Sequence, residues 1–391
     1  MFNIRFPRKM ILPTVLSSLY QFIIFMFLPL LSPFIKTILK DEVMLSLIFS
    51  LFPLSIIIFT PIIGHVSDMI GRKRVIFFGI LCQIFAVFLY IIAENVWPII
   101  IARLLDGIAL TSVVIMGLAK VEDLAENRSR GLVAGFFLSL LNLGAIAGPV
   151  AGGYIAERFN VRIVFLIAFN CLLMLLLMAL IFYRSNHPKQ KISRDAFSFI
   201  NDIKQFLSIR ELQGMAILGI ITHATQPAIR VFLPLLIIER FGLSYEHVGI
   251  AFFCFALFMM FEFFTGWLAD SLGRIKIIIF GTFGIGVGFC LIGFSSSWAS
   301  LIWSLLFVSF ANSLWNSGAW ALMSDIGEEH KKQGSVMGSY MSIAEIGALL
   351  SYFTSGFIAK FFGVSYLMIC NGLLIIFGSA IALLLFKKVH Q

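Results

Sequence analysis

Twelve apolar stretches follow one another along this chain, and they leave it few folds to choose from. They run near 10–35, 43–66, 74–94, 96–119, 131–156, 162–183, 213–239, 246–268, 275–295, 298–322, 333–359 and 364–386, numbered here helices 1 to 12. An α-helix needs roughly 20 residues to cross a ~30 Å hydrocarbon layer, and most of the stretches reach that length. Their apolarity is continuous, without the period-two alternation of a membrane barrel, so the spans are helices. Composition agrees: 60% of the residues are apolar and 13% charged, against about 45–50% and about 25% in a soluble domain. Water could not solvate such a surface.

The first stretch follows Arg5, Arg8 and Lys9. It is too long for a signal-peptide core, and no small-residue cleavage site follows it, so it is expected to remain as helix 1. The net charge of +9 finds its explanation in placement rather than in nucleic acid. With the N-terminus inside, the outer loops hold only Lys36, Lys40, Arg158, Arg162, Arg240 and Lys360, and Arg103 and Arg230 lie within spans. All other Lys and Arg fall on the inner side. This positive-inside bias puts both termini in the cytoplasm of a multi-pass protein of the cell (inner or plasma) membrane. Cys82, Cys171, Cys254, Cys290 and Cys370 all fall within spans at spacings that suit no metal site. They read as reduced packing residues, and neither metal nor cofactor is expected.

The chain carries an internal repeat. After helix 2 it reads Gly64-x-x-x-Asp68-x-x-Gly71-Arg72-Lys73-Arg74, and after helix 8 Gly266-x-x-x-Asp270-x-x-Gly273-Arg274-x-Lys276. At nearly the same half-chain offset, Gly131, Gly135, Asn142, Gly144, Gly153 and Phe159 map onto Gly334, Gly338, Glu345, Gly347, Gly356 and Phe362. Two stretches in the same order argue for six duplicated helices. The expected division is an N-terminal six-helix bundle over 1–183, a cytoplasmic linker over 184–212 and a C-terminal bundle over 213–391. Apolar spacing from Phe197 to Leu207 predicts a short amphipathic helix in the linker, on the inner membrane surface.

The paired loop pattern resembles the cytoplasmic signature of the major facilitator superfamily, and the resemblance extends over the whole chain. It implies an all-α membrane fold of two pseudo-symmetric six-helix bundles with a cavity between them. It also implies that the loop latches the halves on the cytoplasmic side in one state. Gly64, Asp68, Gly71 and Arg72 would belong to that latch, with Asp123 as a partner and Asp270 and Arg274 as weaker equivalents. The second copy departs from the pattern at Ile275, where a basic residue is common. Arg103-Leu-Leu-Asp106-Gly107 in helix 4 resembles a second family signature, in which Gln often stands where Asp106 does. Helix 5 reads Gly144-Ala-Ile-Ala-Gly148-Pro149-Val-Ala-Gly152-Gly153, which looks like the signature of the drug/proton antiporter branch and implies export. Its small residues at spacing four allow close helix contact, and Pro149 bends the helix. Ser351 and Tyr352 stand where Gly148 and Pro149 would repeat.

Charges inside a membrane mark function or an internal pair, because each costs several kcal/mol, about +2.5–3.5 on insertion scales. Arg103 and Asp106 share a helix face and read either as a self-satisfying pair or as a proton-linked one. Glu262 lies about 12 Å deeper than Asp270, and Glu345 about 20 Å beyond Lys332, at 1.5 Å per residue. An isolated carboxyl at such depth has reason to hold a proton. It is then a proton carrier, a permanently neutral acid or a partner of Arg230. In helix 7, His223, Gln226 and Arg230 fall on one face of a regular helix, with Pro227 and Pro234 loosening the backbone. By resemblance helices 1, 4, 7 and 10 face the cavity, so these three, Tyr20, Gln21, Asn312, Trp315 and Asn316 are cavity candidates.

No phosphate-cradling loop or hydrolase motif is present, so an enzyme is not expected and ATP is not the fuel. The expected activity is secondary transport by alternating access, with proton-coupled efflux of a small amphiphilic compound foremost. A dedicated metabolite or siderophore exporter, a solute importer, and a non-transporting scaffold or sensor are the rivals. The expected partners are a small-molecule substrate, protons and lipid, without nucleic acid, the protein working as a monomer.

Overall fold

The computed structural model describes residues 8–123, 130–182, 198–329 and 333–387. Among them are twelve helices long and apolar enough to cross a membrane. The spans are α1 Met10–Ile38, α2 Glu42–Ser67, α3 Arg72–Ile91, α4 Val96–Val121, α5 Phe136–Arg158, α6 Val161–Ile181, α7 Arg210–Arg240, α8 Tyr245–Leu272, α9 Arg274–Phe294, α10 Trp298–Ile326, α11 Gly338–Phe362 and α12 Val364–Phe386. Each falls where an apolar stretch predicts it. Large apolar side chains such as Phe263 and Trp303, 78% and 73% exposed, cover the outside. In a water-soluble protein a surface of this kind would aggregate; against acyl chains it is the solvent-matched face. The amphipathic helix of the linker spans Ser198–Ser208, buries Phe206 and packs against α11.

The loop motif owes its glycines to backbone geometry. Gly71 and Gly273 join α2 to α3 and α8 to α9 with φ of +93° and +97°, a region that L side chains avoid. The two repeated turns are therefore the same turn.

Helix packing repeats as well. In the first six helices α1 packs on α5 and α6, α3 on α4 and α6, and α2 on α4; in the second six α7 packs on α11 and α12, α9 on α10 and α12, and α8 on α10. The two sets meet through α2 against α11 and α5 against α8, with α1 also touching α7. The helix 5 string explains much of this. A Cβ on Gly144, Gly148 or Gly152 would strike the α1 backbone at Ser18, Phe22 or Met26, and one on Gly153 would strike Tyr245 of α8. Lipid gives helices no hydrophobic reason to associate, so close backbone contact supplies the attraction.

These contacts set a test of packing. A Cβ at Gly152 would overlap the Met26 carbonyl oxygen, whereas one at Gly64 meets nothing within 4 Å. Gly152→Ala should lower the melting temperature in detergent by an amount corresponding to about 1–3 kcal/mol, and Gly64→Ala should leave it unchanged or raise it slightly. Equal melting temperatures for the two variants would contradict the packing described.

Candidate functional site

One turn of α4 sets Arg103 beside Asp106, and neighbouring helices complete the cluster. Arg103 Nη1 donates to Asp106 Oδ2 at 2.9 Å. Tyr90 of α3 donates its hydroxyl to the same oxygen at 2.6 Å. Gln83 Nε2 donates to Oδ1 at 2.8 Å, and Tyr20 of α1 donates to Gln83 Oε1 at 2.7 Å. Asp106 thus accepts three bonds, and all five side chains are buried. The carboxylate is fully engaged in holding Arg103 and tying α1, α3 and α4 together. Tyr20 belongs to this network, while Gln21 keeps a buried Oε1 without a partner. A π-helical stretch, Thr111–Ile115, follows the cluster; such wide turns favour functional positions.

Arg103 is only partly satisfied. Its Nε and Nη2 are buried and take no hydrogen bond. The guanidinium lies 4.6 Å from the Phe49 ring and 5.0 Å from the Phe52 ring of α2. From the other half, Arg230 of α7 lies over the same Phe52 ring at 5.4 Å.

The second half contributes an acid to the centre. Glu345 of α11 has Oε1 3.5 Å from Gln226 Nε2 and 4.0 Å from His223 Nε2. Its Oε2 is buried with no partner. His223 Nδ1 faces the Gly219 carbonyl at 3.1 Å, which leaves Nε2 for Glu345. The helical-face argument for His223, Gln226 and Arg230 meets a broken helix: the α-helical turns of α7 end at His223 and resume as a π-helical stretch over Ala228–Phe232. His223 and Gln226 still reach the same carboxyl, and Arg230 sits on the widened turn. Glu262 of α8 accepts from Asn316 Nδ2 at 2.6 Å, and Asn316 Oδ1 accepts from Trp320 Nε1 at 2.8 Å. Trp320 and His223 both pack edge-on against Tyr340, so an aromatic wall runs from Glu262 to Glu345. Trp315 is buried among core residues, and Asn312 is half-buried on α10.

At the end of the bundle far from the termini, three polar contacts join the halves. Lys36 Nζ of α1 meets Glu239 Oε2 of α7 at 2.9 Å, and also Glu42 at 3.0 Å. Asp41, which caps α2 through the N–H groups of Val43 and Met44, pairs with Lys360 of α11. Glu157 Oε2 of α5 accepts from the Tyr245 N–H of α8 at 3.0 Å. Lys36 and Glu239 are 203 residues apart, the offset that also relates Glu157 to Lys360 and Asp41 to Ser244. The central pair is therefore one repeat position carrying opposite charges. Ser46 Oγ donates to the Tyr352 carbonyl at 2.6 Å just below. The Lys360 ammonium, with the Met44 N–H, holds the Asp41 carboxyl below its ordinary value of 3.8. Repeat register was the available signal for this lock, but it draws the eye to matching residues rather than to opposite ones.

At the other end, Arg274 pairs with Asp270, 3.4 Å away, and with Asp325 of α10, and donates to the Ala321 carbonyl at 2.8 Å. The contacts are all within one half. Asp325 repeats Asp123 at the loop offset, and was missed in the sequence for want of that comparison. The side chains of Asp68 and Asp123 lie outside the described residues. Arg72 reaches Met116 Sδ of α4 at 3.8 Å.

Known proteins share this architecture. A family model described as Major Facilitator Superfamily matches residues 14–261 and 215–391. An uncharacterised MFS-type transporter of Methanocaldococcus jannaschii is 25% identical over 344 residues, 86% of this chain and 87% of that protein. The class G tetracycline resistance protein of Vibrio anguillarum is 25% identical over 338 residues, covering 82% and 84%. Among solved structures, a POT family transporter in complex with 5-aminolevulinic acid aligns with a TM-score of 0.84 at 14% identity, over 98% of this chain and 97% of that one, a likeness of fold. With twelve spans, a repeated loop turn and a family match along its length, this chain belongs to the Major Facilitator Superfamily of membrane transporters.

Proposed function

We propose that this transporter exports a small amphiphilic compound in exchange for protons. Glu345 carries the reading. It is a carboxyl in the middle of a span, with one oxygen toward His223 and Gln226 and the other unpartnered. Asp106, bound by Arg103, Tyr90 and Gln83, would have to give up a charge-assisted bond to take a proton, and such bonds are the stronger kind. Glu345 gives up far less. A proton moving inward through 100 mV releases about 2.3 kcal/mol, enough to bias an export cycle. The relative named for tetracycline resistance supports export.

The distribution of basic residues makes the locked end the outer one. In this state the substrate site would then be shut off from outside. Rocking the halves apart there exchanges the three polar contacts for water, and the glycine seats of Gly153 on α8 and Gly356 on α2 re-form at the end of each cycle. The domain division at 1–183, 184–212 and 213–391 gives the two rigid parts and their connection.

Two outcomes follow. In everted vesicles, adding an exported compound, with tetracycline and chloramphenicol as first probes, should release protons from an acidified lumen. Glu345→Gln should abolish that release, and Asp106→Asn should slow it. Vesicles that release no protons with any compound shown to leave cells by this protein would remove the antiport reading.

The lock should respond to charge. Lys36→Glu should raise labelling of a cysteine placed at Ser32 by a membrane-impermeant maleimide, by about two- to fivefold, since partly exposed pairs are individually weak. Lys36→Glu with Glu239→Lys should restore the original rate. Pairing lowers the Asp41 value, so its contribution is complete above the ordinary carboxylate range and is lost only as pH falls through the lowered value. In a Glu345→Gln background, labelling should therefore stay constant between about pH 8 and about pH 6.

A further inference from the structure

The centre of the protein holds unmet hydrogen-bonding groups of both signs. On the donor side stand Arg103 Nε and Nη2, in a side chain only 1% exposed. Arg230 adds a second guanidinium over the same Phe52 ring, and it enters none of the carboxylate pairs found among the described residues. On the acceptor side stand Glu345 Oε2 and Gln226 Oε1, both buried and unpartnered. Tyr352, fully buried, stacks on the Phe49 ring with 6.5 Å between centroids, and Arg103 lies over that same ring at 4.6 Å.

Buried donors and acceptors left unmet are costly, and the cost is greatest for charged groups. Such a set persists where a ligand completes it. A simple anion would satisfy the guanidiniums but face Glu345. It would bind with a proton already on that acid, and the two would travel together. A simple cation would satisfy Glu345 but be carried up to two guanidiniums. A compound bearing both charges meets both needs and brings no net charge into a low-dielectric site. The planar fork of arginine also matches a carboxylate in a way that a point charge does not.

We infer that the substrate is a zwitterion, its acidic group seated between Arg103 and Arg230 beside Tyr352 and its ammonium at Glu345. This rests on the proton-exchange reading and explains it: the substrate's ammonium and the proton compete for one carboxyl. Release of substrate outside leaves Glu345 free to take a proton, and arrival of substrate from inside displaces it.

The test uses the purified full-length protein in lipid nanodiscs and matched triplets of compounds. Each triplet is an amino acid, its methyl ester and its N-acetyl derivative, built on a naphthyl, a biphenyl or a quinolyl body. Binding is measured by calorimetry. The amino acid should bind at least about tenfold more tightly than either capped form, the gain of one charge-assisted pair. Arg230→Gln should weaken the amino acid by about tenfold without weakening the ester, and Glu345→Gln should weaken the amino acid without weakening the N-acetyl form. An ester or N-acetyl form that binds as well as its parent overturns the inference. So does a lack of binding by all three triplets. If vesicles still release protons with another compound, the export reading survives that failure. Zwitterion binding with the expected charge dependence, in a protein that releases no protons, would keep the subsite and end the exchange reading.

Discussion

Everything in this protein depends on the cost of charge and unmet hydrogen bonds in hydrocarbon. Backbone groups escape that cost by forming helices, which is why the described residues are arranged as twelve apolar spans. Side-chain charges escape it only where helices enclose them. Arg103 is affordable because Asp106 accepts from it and is itself fixed by Tyr90 and Gln83. The same constraint makes the unfinished groups informative. A membrane interior does not tolerate spare guanidinium nitrogens or carboxyl oxygens without reason. Here Arg103, with spare nitrogens, shares the Phe52 ring with Arg230 of the other half, while Glu345 keeps a spare oxygen beside His223 and Gln226.

Close helix contact supplies the other half of the design. Glycines on α5 seat α1 within the first half, and Gly153 seats α8 of the second. The same helix thus belongs to a tight bundle along one face and to a separable contact along the other. Polar contacts at the far end from the termini fall on that separable surface. They are few, partly exposed and individually weak, which suits a joint that must open as well as close.

Much of this was legible in the sequence. Length and apolarity marked the spans, and the repeated Gly-x-x-x-Asp loop marked the duplication, because Gly71 and Gly273 serve the same positive-φ turn. Arg103 with Asp106 was legible as a pair, and Glu345, His223 and Gln226 singly as charge or polarity out of place in lipid. The partner the sequence offers Glu345 is Arg230, whereas its nearest polar neighbours are His223 and Gln226. Other features were not, for physical reasons. Gln83 looks like an ordinary span residue until the fold brings it to Asp106, and Tyr20, a cavity candidate by sequence, reaches Asp106 only through Gln83. The π-helical turn that carries Arg230 follows a break in the helix at Ala224 and Thr225, which spacing on a regular helix cannot represent. Lys36 and Glu239 read as loop-edge charges on separate helices, and only the folded bundle brings them within 2.9 Å.

The central claim is that two packed sets of six helices move against each other around a charged middle. Spin-label distances measured by pulsed electron resonance test it directly, with one pair of labels across the halves at the outer ends of α2 and α11 and another within one half, on α3 and α6. Between protein at acid pH without substrate and protein saturated with an exported compound, the cross-half distance should change by several ångströms while the within-half distance holds. A fixed cross-half distance, or a within-half distance that changes as much, would contradict the account.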